Sequence, residues 1–172
     1  MTVVEEAPAR VAADVFAAWL EEFGAALESG EPARTAAAVL ADGYWRDILA
    51  FGWDYRTSSG RAEIEAAFRQ TLPHVRPRDL RPAAGRTAPR LVKRAAKWVV
   101  EAYFDFETVA GHGTGFVRLL LDDADPLQSR AWLLLTTLPV RNKAQVTEVV
   151  EAYSQRFSTR GVLPHLEERL WH

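Results

Sequence analysis

Across residues 10–29 the apolar side chains recur at every fourth position, Val11, Val15, Trp19, Phe23 and Leu27, while Glu21, Glu22 and Glu28 fall elsewhere on the turn. This spacing predicts an amphipathic helix. Gly30 ends it, and Pro32, suited to a first helical turn, opens a second helix to about residue 40. Residues 41–60, dense in aromatics and glycine, read as a turn followed by irregular or short-strand structure. A third helix is expected over 61–72, with Ile64, Ala67 and Phe68 inward and Ser58 or Ser59 as its cap.

Beyond Pro73 the pattern changes. Residues 76–94 interleave arginines with Pro77, Pro82 and Pro89, as a loop or edge strand does. Strands are expected over 98–108, 115–122 and 130–140, with a glycine-rich hairpin turn at 109–114. A turn near His112 sets Asp105 opposite Arg118, Phe104 opposite Leu119 and Phe106 opposite Val117. One face then carries Val100, Ala102, Phe104, Phe106, Val117, Leu119 and Leu121, and belongs under the helices. The other carries Glu101, Tyr103, Asp105, Glu107, Phe116, Arg118 and Leu120; Asp105–Arg118 is there either a cross-strand ion pair or the polar pair of a pocket. The third strand is apolar on both faces around Trp132, Leu133, Leu134 and Leu135, which suggests a homodimer through the sheet. Asn142 and Gln145 start a last helix with the stripe Val146, Val149, Val150, Tyr153 and Phe157. Helices first and strands after make an α+β domain, with helices packed on an antiparallel sheet. The domain spans residues 1–142, and 143–172 form a C-terminal helical extension packing on it.

Composition narrows the chemistry. A chain of 172 residues that is 48% hydrophobic builds one core, and a net charge of −2 gives no field for nucleic acid or acidic membrane. The absence of cysteine removes disulfides, thiolate metal sites and cysteine nucleophiles. Met1 to Pro8 has no apolar run of the secretory kind, and no stretch is long enough to span a bilayer, so a cytoplasmic protein is expected. His74, His112, His165 and His172 have no ligand spacing, so no metal is expected. Gly111-His112-Gly113-Thr114-Gly115 sits at a hairpin turn and not between a strand and a helix, so it is no phosphate cradle.

The run Tyr44-Trp45-Arg46-Asp47, Leu49-Ala50-Phe51, Trp53-Asp54, Arg56-Thr57 and Gly60-Arg61 resembles the nuclear transport factor 2-like (SnoaL-like) superfamily. More narrowly, it is similar to the N-terminal domain of that type in bacterial flavin-containing monooxygenases. Glu101-Ala102, Phe104 to Thr108 and Gly115 to Arg118 continue the likeness, which covers residues 12–140. The resemblance implies a cone-shaped fold whose helices and curved sheet enclose a pocket.

Enzymes of the superfamily place acid–base groups inside the cone, and Asp47 is similar in position to the isomerases' general base. A carboxylate in an apolar pocket has its pKa raised toward the range useful for moving a proton. His74 and Tyr44 are the candidate proton donors. Trp19, Phe23, Trp45, Trp53, Phe68, Phe104 and Trp132 are the candidate substrate-binding wall. Phe23 stands where the isomerases carry an oxyanion-stabilising tyrosine, and Gly115 or Phe116 falls near their second acid, so steroid-type isomerisation is not expected. Asp47 has a structural alternative, as the cap of a turn or a partner of Arg46 or Arg56.

Two functions follow. One is a cofactor-independent cyclase, isomerase, dehydratase or hydrolase acting on a small hydrophobic, ring-bearing metabolite. The other is a non-catalytic accessory or dimerisation module working with a flavoprotein monooxygenase. The fold alone does not choose between them.

Overall fold

The structure, a computed structural model, describes residues 3–52 and 54–139; Trp53, the last helix and the C-terminal extension lie outside the described residues. Its elements are α1 (Val3–Ser29), α2 (Pro32–Ala36), β1 (Val39–Ile48), β2 (Tyr55–Ser59), α3 (Arg61–Val75), β3 (Arg78–Pro82), β4 (Arg90–Arg94), β5 (Lys97–Thr108), β6 (Gly111–Leu120) and β7 (Arg130–Thr137), with a 3-10 turn at Pro126–Gln128. The strands form one sheet in the order β2-β1-β7-β6-β5-β3, and β4 shares the β5 edge with β3. Every pairing is antiparallel except that of β1 with β7, which is parallel. The fold is α+β, with the helices on one face of a curved, open sheet.

The interior is a packed aromatic cluster. α1 contributes Ala12, Val15, Phe16, Trp19, Leu20, Phe23 and Leu27, and α3 contributes Ile64, Ala67, Phe68, Leu72 and Val75. Trp19 stacks on Phe23 at 4.6 Å, and Phe68 stacks on Trp45 at 4.1 Å. Phe23 meets Phe68 and Phe104 edge-on at 6.5 and 6.4 Å, which joins the two stacks. Offset and edge-on contacts of this kind add stabilisation beyond the area that they bury.

The face assignment of the long hairpin holds: Val100, Ala102, Phe104, Phe106, Val117 and Leu119 are all buried under the helices. Its register does not. Phe104 pairs with Gly115, Phe106 with Gly113 and Asp105 with Thr114, and the turn is Val109-Ala110, not near His112. The slip is four residues, an even number, so every side chain kept its face.

The glycines explain the slip. They belong to β6 and not to the turn, because the rings of Phe104 and Phe106 lie over the strand at Gly115 and Gly113. A Cβ at Gly115 would fall inside the Phe104 ring, and one at Gly113 inside that of Phe106. Gly115→Ala is therefore expected to cost about 1–3 kcal/mol in urea unfolding, and Phe104→Leu should recover part of that in the double variant.

Three other expectations are corrected. The second helix stops at Ala36, because the backbone from Ala38 onward pairs with β7: Ala131 N–H donates to Ala38 O at 2.9 Å. Tertiary pairing overrides local helix preference there. Residues 41–60 hold the short-strand alternative, as the antiparallel β1–β2 hairpin, and the turn expected at their start is part of β1. α3 runs on through Pro73 to Val75, and its N-cap is Gly60 at φ 81° with no side-chain cap, so neither Ser58 nor Ser59 fills that role.

Candidate functional site

Asp47 lies near the end of β1, where the alternation of the strand turns Gly43, Trp45 and Asp47 toward the helices and Tyr44 and Arg46 away from them. Its carboxylate is 4% exposed. Oδ2 accepts the backbone N–H groups of Phe51 (2.9 Å) and Gly52 (3.1 Å), which closes the turn after β1. Oδ1 accepts the Thr136 hydroxyl at 2.6 Å, and the same hydroxyl oxygen accepts the Trp45 indole N–H at 2.9 Å. A buried chain Trp45→Thr136→Asp47 thus ties β1 to β7.

Burial pushes the Asp47 carboxyl up from 3.8 to about 6, although the Thr136 hydroxyl and the amides of Phe51, Gly52 and Ala50 all pull it down. Desolvation of the charged form outweighs the hydrogen bonds that favour it. The sequence reading anticipated this rise, and the turn-capping alternative describes the same residue: Asp47 is a cap with a perturbed pKa. Neither Arg46 nor Arg56 pairs with it. Arg56 donates instead to Gln70 Oε1 at 3.3 Å.

Beside the carboxylate is a cavity of about 30 Å³ between β1, β2 and α3, lined by Trp45, Asp47, Phe51, Gly52, Asp54, Arg56, Ser58, Ala67 and Thr71. That is room for one or two water molecules and far too little for a ring. The expected substrate wall does not surround an opening. Phe23, Phe68 and Phe104 are at most 1% exposed and Trp19 4%, and they pack on one another. A ligand-sized void would leave its walls exposed, and these walls are not.

The other expected site residues are scattered. Tyr44 is 44% exposed on the opposite face of β1 from Asp47. His74 is in the last turn of α3, not beyond the helix, and does not line the Asp47 cavity. Trp132 sits beside Lys97, whose Nζ is 5.9 Å from its ring centroid, and is not in the aromatic core.

Asp105 and Arg118 do not pair. Asp105 lies 3.7 Å from His112 Nε2, and Arg118 bonds Glu101 at 2.9 and 3.0 Å. Arg90 and Arg94 reach the same carboxylate at 2.9–3.1 Å. Burial pushes Glu101 up, but the hydrogen bonds from Arg94, Arg118 and Arg90 outweigh it and hold the carboxyl below its ordinary value.

Sequence reading missed Thr136, the partner on which Asp47 and Trp45 converge. Its signal was a polar residue at an inward position of an otherwise apolar strand, alternating with Leu134 and Leu138. Among the described residues no cluster of His, Asp or Glu is arranged to hold a metal, and no helix is long and apolar enough to cross a membrane.

No family model matches the chain, and neither does any curated protein at the level of sequence. Solved structures do match in shape. A candidate calcium/calmodulin-dependent protein kinase II association domain from Xanthomonas campestris superposes with a TM-score of 0.54 at 15% identity, covering 74% of this chain and 87% of that one. A domain of unknown function with a cystatin-like fold from Nostoc punctiforme gives 0.52 at 12% identity, over 99% and 94% of the two chains. A ketosteroid isomerase-like protein from Erwinia carotovora atroseptica gives 0.51 at 12% identity, over 76% and 97%. Together with the strand order, these likenesses define the fold as nuclear transport factor 2-like, or cystatin-like.

Proposed function

We propose that this chain is a non-catalytic accessory module of the nuclear transport factor 2-like type that works beside a flavin-containing monooxygenase. The observation that carries the non-catalytic reading is the filled cone: the rings that would line a substrate pocket pack against each other, and the space left at Asp47 is water-sized. The monooxygenase partner is supported by the sequence resemblance over Tyr44 to Arg61. The outer face of the sheet is the surface such a module offers, with Leu133 and Leu135 on β7 beside Phe116 and Arg118 on β6, all half-buried. Apolar side chains on a strand face that no helix among the described residues covers fit a protein partner.

The purified chain, mixed with a flavin monooxygenase that lacks such an N-terminal domain, is expected to form a complex at micromolar concentration by sedimentation velocity. Leu135→Asp should abolish it. Two unchanged boundaries would overturn the proposal.

A second reading keeps Asp47 as the general base of a cofactor-independent enzyme acting on a small hydrophobic metabolite. It is favoured by one observation, the carboxyl held at about 6 beside a cavity, since a group titrating near neutrality suits proton transfer. It requires Phe51 or Phe68 to swing aside. Turnover of a ring-bearing ketone that is lost in Asp47→Asn while the variant keeps the parent's fold would establish it in place of the first reading.

A further inference from the structure

We propose that the three arginines gathered on Glu101 form a binding site for a phosphate group on the outer face of the sheet. Arg90 donates to Oε2 at 2.9 Å, Arg94 grips both oxygens at 2.9 and 3.1 Å, and Arg118 donates twice to Oε1 at 2.9 and 3.0 Å. Three guanidinium groups on one carboxylate leave an excess of two positive charges in the space of one side-chain cluster. The acid lies beneath and the cations above it: Glu101 is 3% exposed, whereas the side chains of Arg118, Arg94 and Arg90 are 27%, 42% and 54% exposed. An anion arriving from solvent therefore meets only the cations.

Among the described residues the surroundings do not neutralise the excess. β4 and β6 carry no acidic residue, and the next acid along β5 is Asp105. Four residues of strand put that side chain about 13 Å away. Asp122, just past β6, already accepts the backbone N–H groups of Ala124 and Asp125 with Oδ1. Lys97, paired across the strands with Arg94, adds a further cation at this end of the sheet.

The donors also remain available. Among the described residues, Nη1 of Arg118 and both Nε and Nη1 of Arg90 have no acceptor. Fixed, planar donor forks are the groups that recognise phosphate oxygens in pairs, and a phosphate near its dianionic form matches an excess of two charges where a single carboxylate does not. Glu101 acts here as a brace that holds the three forks in place.

Titration of the full chain with inorganic phosphate, at ionic strength held constant with chloride, tests this by following the arginine side-chain N–H signals. Saturable shifts confined to Arg90, Arg94 and Arg118 are expected. Arg90→Gln, at an exposed edge, should leave the fold intact and weaken phosphate about threefold. A parallel titration with phenyl phosphate identifies the source: tighter binding assigns the site to the phosphate of an organic ester, and equal binding assigns it to free phosphate. Shifts no larger than those given by chloride, or an Arg90→Gln variant that binds as the parent does, would overturn the proposal.

Discussion

Replacing Phe68 by alanine is expected to remove about 3–5 kcal/mol of folding stability. The ring is fully buried on the inward face of α3, stacked on Trp45 at 4.1 Å and set edge-on to Phe51 and Phe23 at 6.0 and 6.5 Å. Truncation would leave a void in the middle of the cluster, and the rings around it are held by separate elements that do not collapse together. Trp45 is tied to Thr136 on β7, and Trp19 donates its indole N–H to Ala38 O at 3.0 Å. Urea unfolding with an unchanged slope would report the loss directly. The variant should also gain what the parent lacks, a dry cavity able to take a small aromatic molecule. A loss below about 1 kcal/mol would mean that Phe68 borders a space already open, which the packing rules out.

The second large effect is a pH dependence carried by Asp47. Its carboxyl is raised from 3.8 to about 6 in the folded chain, so between those values the folded state holds a proton that the unfolded state has released. Stability then falls as pH rises through that window and levels off above it. A gap of about two pH units corresponds to about 3 kcal/mol. Glu101 and Glu107 are both held below their ordinary values and act in the opposite sense, losing stability on acidification. The difference between the parent and Asp47→Asn isolates the one group: relative to the parent, the variant should gain about 3 kcal/mol between pH 3.5 and pH 7. A difference that stays flat over this range would show that Asp47 is solvated and titrates normally.

Much of the architecture was legible in the chain, and the failures share a cause. The inward face of β5 and β6 could be read from alternation alone, because parity survives any even slip in register. The register itself could not be read. Glycines at 113 and 115 look like turn residues, and only the rings of Phe106 and Phe104 lying over them make them strand residues.

β1 was hidden in the same way. Once residues 41–60 read as a turn followed by irregular or short-strand structure, no strand bounds were available to turn Tyr44 outward while Asp47 turned inward, so both were assigned to one site. Asp47 itself was singled out by its resemblance in position to the isomerases' general base. Its partner Thr136, 89 residues further along, was not, because the parallel pairing of β1 with β7 has no local signature. Of the expected aromatic wall, Trp19, Phe23, Trp45, Phe68 and Phe104 lie in the core, whereas Trp132 does not. Whether they line a hollow or fill it depends on ring-to-ring packing, which spacing along a sequence does not encode.

The filled interior is the claim on which the functional reading depends, and the indole N–H signals of Trp19 and Trp45 report on it from opposite ends of the aromatic cluster. Both donors are buried, one on Ala38 O and the other on Thr136 Oγ1. Titrating the parent protein with 2-naphthol, a flat bicyclic probe of ring-bearing metabolites, should leave both signals where they are. Saturable movement of the two together would show a ligand entering the cone and would contradict the account.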